Sequence, residues 1–110
     1  RELCRLIYRL TAGGAFAKDF GLRDQIRRAS VSVMANIAEG FDRRTKKDFR
    51  NFLGIALGSC SEVKSHLYVA LDQGYVSAAE FESAYRKALA SSRLIFTFMR
   101  RLSNDLDNGG

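Results

Sequence analysis

Residues 45–70 read TKKDFRNFLGIALGSCSEVKSHLYVA, and the spacing of their apolar side chains decides the fold. Apolar or small residues recur at alternating steps of four and three, which places them on one side of an α-helix. They are Phe49, Leu53, Ala56, Cys60, Val63, Leu67 and Ala70. Thr45 and Asp48 resemble a capping box with Asp in place of the usual Glu or Gln. A helix is therefore predicted over residues 46–73.

The same periodicity predicts three more helices on either side of this one. They cover residues 1–12, 21–39 and 78–102. Gly40 supplies a left-handed C-terminal residue to the second helix, and Gly74 ends the third. Ser77 and Glu80 form a capping box that opens the fourth. The polar end of the chain predicts a flexible tail over residues 104–110.

Composition agrees with a single helical domain. The chain has 110 residues, 46% of them hydrophobic, and it contains no proline, which suits long uninterrupted helices. Short connections force consecutive helices to be antiparallel. The predicted fold is therefore all-α: one up-down-up-down four-helix bundle over residues 1–103.

The cysteines and the hydropathy pattern bear on the compartment. Cys4 and Cys60 lie within apolar helical patterns and predict buried thiols in a reducing compartment. No apolar run approaches a membrane span, and the first residues lack the apolar core of a signal peptide, so we expect a cytoplasmic protein without membrane contact. The chain does not begin with Met, and we expect it to have been trimmed.

Basic residues that are scattered in the sequence converge in the predicted bundle. The formal net charge is +6. The start of the first helix, the turn between the second and third, and the end of the fourth all fall at one end of an up-down-up-down bundle. These segments hold Arg1, Arg5, Arg43, Arg44, Lys46, Lys47, Arg50, Arg100 and Arg101. Lys46 and Lys47 also oppose the positive end of a helix dipole, which favours a functional role. The alternative is a solvated charged face.

Several polar positions have structural interpretations. Asn36 falls on the apolar side of the second helix and predicts a polar core residue that sets the helix register. Glu39 could hold the following turn or an arginine across a subunit interface. Glu62 comes level with Arg23 and Arg27 in the predicted hairpin, which indicates a structural ion pair.

The sequence argues against an enzyme. His66 is the single histidine, and it follows Glu62 by four residues, whereas di-iron bundles use paired Glu-x-x-His motifs at a spacing of three. No glycine-rich loop with a following Gly-Lys-Ser or Gly-Lys-Thr is present. We expect no catalytic residue, no metal and no cofactor.

The fourth helix has a wide apolar arc. Leu89 and Phe96 lie on one flank of its core stripe, and Leu94 and Phe98 lie on the other. This width indicates that another subunit covers part of the helix. A helix packed between two neighbours in one bundle would need a similar arc, so both interpretations stay open at this point.

Residues 20–67, FGLRDQIRRASVSVMANIAEGFDRRTKKDFRNFLGIALGSCSEVKSHL, resemble the four-helix bundle family of 23S ribosomal RNA intervening-sequence proteins. The same superfamily includes the accessory variability determinant of diversity-generating retroelements. The matching positions are Leu22, Gln25, Arg27, Arg28, Ala29, Asn36, Ile37, Ala38, Glu39, Gly40, Arg43, Arg44, Gly58, Ser59 and Glu62. Two features depart from the family pattern: Met34 stands where many members have proline, and residues 13–21 are richer in glycine.

The resemblance implies a homo-oligomer, a five-membered ring, without catalytic activity and with a nucleic-acid-binding role. In the retroelement branch the bundle assists a reverse transcriptase. The matching residues do not select a branch.

Charge and resemblance together predict an oligomer that binds nucleic acid, RNA rather than a specific DNA site, through the basic turn. The predicted contacts are Arg43, Arg44, Lys46, Lys47, Arg50, Arg100 and Arg101. The alternative is a protein-interaction scaffold, for example an accessory subunit of a reverse transcriptase, that docks through the same face.

Overall fold

The computed structural model describes residues 1–107, and every regular element in that range is helical. The order is α1 (Glu2–Leu10), α2 (Gly14–Lys18), α3 (Phe20–Phe41), α4 (Lys46–Asp72) and α5 (Ala78–Asp107). The three long helices follow one another through short turns and lie antiparallel, as the Ser32–Ser59 and Tyr68–Tyr85 contacts require. The molecule measures 52 × 21 × 18 Å. The predicted all-α, up-down-up-down bundle is confirmed.

Helix α4 forms the centre of the bundle because its apolar stripe faces both α3 and α5. The stripe residues Leu53, Ala56, Cys60, Val63, Leu67 and Ala70 are all buried. Phe49, the first residue of the stripe, is half-buried. At the N-terminus the Asp48 amide donates to the Thr45 hydroxyl oxygen at 3.1 Å, so Thr45 caps the helix as predicted.

Helix α5 begins at the predicted capping box and extends further than the sequence indicated. The Ser77 amide donates to Glu80 Oε1 at 2.8 Å, and the Glu80 amide donates to Ser77 Oγ at 3.0 Å. The predicted tail is helical as far as Asp107, because Leu102 is buried and Lys46 of α4 lies 3.6 Å from Asp105. Residues 108–110 of that predicted tail lie outside the described residues.

The connection between α1 and α3 contains a helix that the sequence did not predict. Helix α2 carries one buried apolar residue, Phe16, whose ring lies 5.4 Å from that of Tyr75 in the α4–α5 turn. Gly14 opens this helix with a φ of 65°. One phenylalanine among glycines and alanines gives no periodicity, so a tertiary contact decides the conformation.

The core has two parts because α1 is short. Nine residues at 1.5 Å each make α1 about 13 Å long, a fraction of the 52 Å bundle. In the half near α2, Ile7 of α1 packs with Ile26 and Leu67, which we call the four-helix half. In the half near the α3–α4 turn, Val33 and Ile95 belong to a core built by α3, α4 and α5 alone. We call this part the three-helix half.

Gly40 has a different role from the predicted one. The prediction of a left-handed conformation is wrong, because α3 continues to Phe41 and the positive φ values in residues 1–107 belong to Gly14 and Gly74. A Cβ at residue 40 would lie 2.9 Å from Phe49 Cδ1 and 3.3 Å from Phe52 Cβ. Glycine is therefore needed here for the close approach of α4.

Candidate nucleic-acid interface

The turn between α3 and α4 lies beside the last turns of α5. Lys46 Nζ is 3.6 Å from Asp105 Oδ2, and Arg50 donates to Ser103 Oγ at 3.5 Å. The ring of Phe41 lies 6.3 Å from that of Phe98. The structure therefore brings the turn and the end of α5 together at the tip of the three-helix half. We call this surface the basic end, with cations Arg43, Arg44, Lys46, Lys47, Arg50, Arg100 and Arg101.

Arg43 of the basic end is held by two side-chain contacts. Its guanidinium forms an ion pair with Glu39, one turn earlier, and lies 5.1 Å from the ring of Phe52. Both members of the ion pair are partly exposed, so the pair contributes little to stability. Its effect is to hold the arginine side chain across the turn. Glu39 therefore contacts the following turn through Arg43, and its two predicted roles stay predictions.

The basic end is less positive than the sequence indicated. Its seven cations are accompanied by five carboxylates, which are Glu39, Asp42 and Asp48 around the turn and Asp105 and Asp107 in the last turns of α5. Among residues 1–107, two of the seven cations form ion pairs, namely Arg43 and Lys46. The cations without a carboxylate partner in this range are Arg44, Lys47, Arg50, Arg100 and Arg101.

Arg1 and Arg5 do not belong to the basic end, so their predicted place in the cluster is wrong. Arg1 lines a groove with Met34 and Ile37, near the middle of the bundle. The cause is the length of α1, which reaches only halfway along α3. The sequence could have predicted this position, because a rise of about 1.5 Å per residue makes the first helix too short to reach the basic end.

Asn36 and its neighbours form a polar contact between α3 and α4. The Asn36 amide donates at 2.9 Å both to the carbonyl oxygen and to the hydroxyl oxygen of Ser32. The Ser32 and Ser59 hydroxyls lie 2.8 Å apart across the helix interface. Asn36 is half-buried and reaches α4 through Ser32. Such a polar chain within an apolar interface favours one register of the two helices.

Other residues of the matching pattern lie on the surface. Gln25 and Arg28 are exposed on α3, and Glu62 is exposed on the outer face of α4. The predicted ion pair of Glu62 is wrong, because Arg23 pairs with Asp24 at 3.0 Å and Arg27 donates to Thr11 at 2.7 Å. Arg27 contacts α1 and Arg23 contacts α2 through the Ala17 carbonyl, whereas Glu62 is exposed to solvent.

Besides the pair of Arg43 with Phe52, the sequence analysis did not predict two further pairs of an arginine with an aromatic ring. The Arg27 guanidinium lies 4.6 Å from the centre of the Tyr8 ring, and the Arg23 guanidinium lies 4.8 Å from that of Phe20. Arg23 and Phe20 are three residues apart on α3, a spacing that could have indicated their contact. The Arg27 and Tyr8 pair joins two helices and has no local signal.

The environment of Cys60 does not favour a reactive thiolate. Burial raises the pKa of Cys60, against smaller opposing effects of a hydrogen bond from Ser92 and the charge of Lys64. The thiol therefore stays protonated at neutral pH. Within the 107 described residues, no three side chains of His, Cys, Asp or Glu lie together as a metal site would require. Over the same part of the chain, no helix is both long and apolar enough to cross a bilayer.

Comparison with known proteins identifies a family and a similar solved structure. Residues 1–97 match the family model described as 23S rRNA-intervening sequence protein. A crystal structure from Bacteroides thetaiotaomicron, a protein of unknown function from the S23 ribosomal protein family, is similar with a TM-score of 0.79 and 25% sequence identity. That similarity covers 90% of this chain and 86% of the other. A search of curated proteins finds no match.

Proposed function

The chain belongs to the 23S rRNA-intervening sequence protein family, and from this premise we propose that it is a non-enzymatic, oligomeric bundle that binds nucleic acid. RNA is the proposed ligand rather than a specific DNA site. One observation carries the proposal: five cations at the basic end lack a carboxylate partner within residues 1–107. Cations without partners are free to contact phosphates.

The proposed mechanism is electrostatic. Arg43 is held across the turn by Glu39 and Phe52, so its remaining donors face solvent with a restricted set of orientations. Arg44 and Lys47 flank it and are exposed. Each contact with a phosphate releases a counterion from the nucleic acid, so the binding constant falls as salt is added. The proposed contacts are with phosphates, which carry no direct sequence information.

Self-association would multiply these weak contacts. Ile55 and Val69 on the outer face of α4 are 52% and 45% exposed, and a Cβ at Gly58 between them would meet no atom within 4 Å. On α5, Leu94 and Phe96 are exposed as well. Apolar surfaces of this kind favour contact with further copies of the chain. We propose a ring, with five subunits as the family resemblance implies, in which repeated basic ends raise the overall affinity for one RNA.

A protein partner is the second candidate, because the basic end mixes charges. Its five carboxylates would repel phosphates, but they could pair with basic groups of a protein such as a reverse transcriptase. The two candidates differ in whether the purified chain binds bare RNA.

The experiment measures fluorescence anisotropy of a labelled 20-nucleotide RNA and a labelled DNA duplex at several salt concentrations. The test variant is Arg44→Gln with Lys47→Gln, both exposed and outside the ion pairs described above. The matched control is Arg86→Gln with Arg93→Gln on α5, which removes the same charge elsewhere.

The test variant should lower the affinity for RNA on the order of tenfold, and it should reduce the slope of log K against log salt by about 1.4. The control variant should bind like the wild type. Equal losses in both variants would indicate a dependence on net charge alone and contradict a site at the turn. Absence of wild-type binding at low salt would leave the scaffold candidate.

A further inference from the structure

A second arginine surface lies in the four-helix half, along the seam between α1 and α3. We call it the α1–α3 face, and its residues are Arg5, Tyr8, Arg9, Phe20, Arg23, Arg27 and Arg28. Arg27 lies about 20 Å from Phe41 along the axis of α3, so the face is separate from the basic end.

Arg27 is held in place without a carboxylate. Its Nε donates to Thr11 Oγ1 at 2.7 Å, and its guanidinium lies over the ring of Tyr8. Thr11 is itself buried, and its hydroxyl donates to the Ile7 carbonyl at 2.8 Å. Within residues 1–107 no acidic side chain lies within ion-pair distance of Arg27. Its two terminal nitrogens are therefore oriented in advance for an anion.

Tyr8 separates two surface grooves. One groove, of about 260 Å³, is bordered by Tyr8, Arg5 and Met34. The other, of about 510 Å³, is bordered by Tyr8, Arg28 and Val31. The tyrosine is 42% exposed although Arg27 covers part of its ring. A planar group can thus approach the part of the Tyr8 ring that Arg27 leaves open, next to a further arginine.

The arrangement of an arginine beside an exposed aromatic ring is repeated at the start of α3. The Arg23 guanidinium lies 4.8 Å from the ring centre of Phe20, which is 64% exposed. Arg23 also donates to the Ala17 carbonyl at 3.1 Å and pairs with Asp24. Phe20 therefore offers open ring surface beside an arginine, as Tyr8 does.

The charge of the face is strongly positive because its acidic neighbours are engaged elsewhere. Glu2 contacts Lys87 on α5, and Asp19 accepts hydrogen bonds from the Leu22 amide and the Tyr75 hydroxyl. Asp24 is the carboxylate that remains on the face. Its one negative charge is outnumbered by the five positive charges of the arginines on the face.

We propose that the α1–α3 face binds single-stranded nucleic acid, with phosphates on Arg5, Arg27 and Arg28 and unpaired bases against Tyr8 and Phe20. The proposal rests on the proposed function and adds the form of ligand to it. Aromatic side chains stack on unpaired bases of any sequence, whereas the bases of a duplex are already stacked on one another. The face therefore selects single strands over duplexes.

The experiment compares a labelled 20-nucleotide oligo(U), an oligo(dT) of the same length and an RNA duplex by anisotropy. The charge variant is Arg5→Gln with Arg28→Gln, both exposed, and its matched control is again Arg86→Gln with Arg93→Gln. The stacking variant is Tyr8→Leu, which keeps an apolar side chain against Arg27. Circular dichroism and gel filtration check that each variant keeps its fold and its oligomeric state.

Tyr8→Leu should lower the affinity for both single strands about fivefold or more and leave duplex affinity unchanged, because stacking on an aromatic residue is lost. The charge variant should lower single-strand affinity and reduce the salt slope by about 1.4, beyond any effect of the control. We expect equal affinities for oligo(U) and oligo(dT), because the proposed contacts are with phosphates and bases and do not involve the 2′-hydroxyl.

If Tyr8→Leu and the charge variant both left single-strand binding unchanged, the α1–α3 face would be overturned as a site. This would hold even if Arg44→Gln with Lys47→Gln weakened binding, a result that would support the basic end alone. Altered gel filtration with unchanged affinity per protomer would identify the face as a subunit interface and overturn the proposal as well. Absence of all binding by the wild type would remove both this inference and the proposed function.

Discussion

Substitution of Gly40 by alanine tests whether helix contact, rather than helix termination, requires glycine at this position. The new Cβ would lie 2.9 Å from Phe49 Cδ1 and 3.3 Å from Phe52 Cβ. Comfortable carbon–carbon contacts are about 3.5–4.0 Å, so α4 must move outward or Phe49 must leave its rotamer. Because Phe52 Cβ is attached directly to the backbone, side-chain rotation cannot relieve that contact.

The magnitude follows from two opposing effects. Alanine gains about 1 kcal/mol over glycine in a helix, whereas forcing an extra methyl into a packed interface costs typically about 1–3 kcal/mol. We expect Gly40→Ala to lower the free energy of unfolding by about 1 kcal/mol, or the melting temperature by about 4–8 °C. Urea and thermal unfolding followed by circular dichroism, at one fixed protomer concentration, measure both quantities.

Gly54→Ala is the matched control for this measurement. Gly54 also lies within a helix, but its added Cβ would be 3.7 Å from Met99 Cε, an ordinary contact. This variant should therefore be more stable than the wild type by up to about 1 kcal/mol. If Gly40→Ala were as stable as Gly54→Ala, the close approach of α4 to Gly40 would be refuted.

Three further predictions concern the core, a helix cap and one phenol. Leu53→Ala should lower the free energy of unfolding in urea by about 2–5 kcal/mol, because Leu53 is fully buried in the three-helix half; a loss below about 1 kcal/mol would show that this core is loosely packed. Ser77→Ala should cost about 1 kcal/mol in the same assay, since it removes the oxygen that accepts from the Glu80 amide; Ser77→Asp, which keeps an acceptor, should restore stability. The Tyr75 hydroxyl donates to Asp19 at 3.0 Å, and this hydrogen bond, followed by desolvation and the Asp19 charge, raises the pKa of Tyr75 above its usual value of 10.0. The neutral phenol is therefore favoured in the folded state, so its stabilisation is complete below pH 10 and is lost as pH rises through the raised pKa. The stability difference between wild type and Tyr75→Phe should shrink as urea titrations move above pH 10, and a difference that grows with pH would contradict this sign.

Periodicity and capping predicted the long helices because these signals are local. The positions of Leu53, Cys60 and Leu67 follow from a spacing of seven, and each side chain is buried as that spacing requires. The Ser77 and Glu80 capping box is likewise written in four consecutive residues, and both of its hydrogen bonds form.

The errors arise where a distant part of the chain decides the outcome. Gly40 has the local appearance of a helix terminator, and only the approach of Phe49 reveals its role. Phe16 forms helix α2 through a contact with Tyr75, far away in the sequence. The ion pair expected for Glu62 depended on the rotation of α4 about its axis, which a matching level along the bundle does not determine.

The same holds for the candidate interface. Grouping of the turn with the end of α5 followed from topology, and the contact of Lys46 with Asp105 agrees with it. The neutralising effect of Asp105 and Asp107 was missed, because residues 104–107 were expected to be a tail. The α1–α3 face could not be predicted, since its central contact joins Arg27 to Tyr8 and Thr11 on a separate helix.

Because the α1 helix is short, the two ends of the molecule should differ in the free energy needed to unfold them locally. Amide hydrogens exchange with solvent through local and subglobal unfolding, and regions with fewer buried contacts open at a lower free energy. The core of the three-helix half lacks any residue of α1, whereas Ile7 and Phe16 close the opposite half. Amides around Val33 and Ile95 should therefore exchange faster in an isolated protomer than those around Ile26 and Leu67. The end for which we propose phosphate binding is then also the end most readily reshaped by a bound ligand.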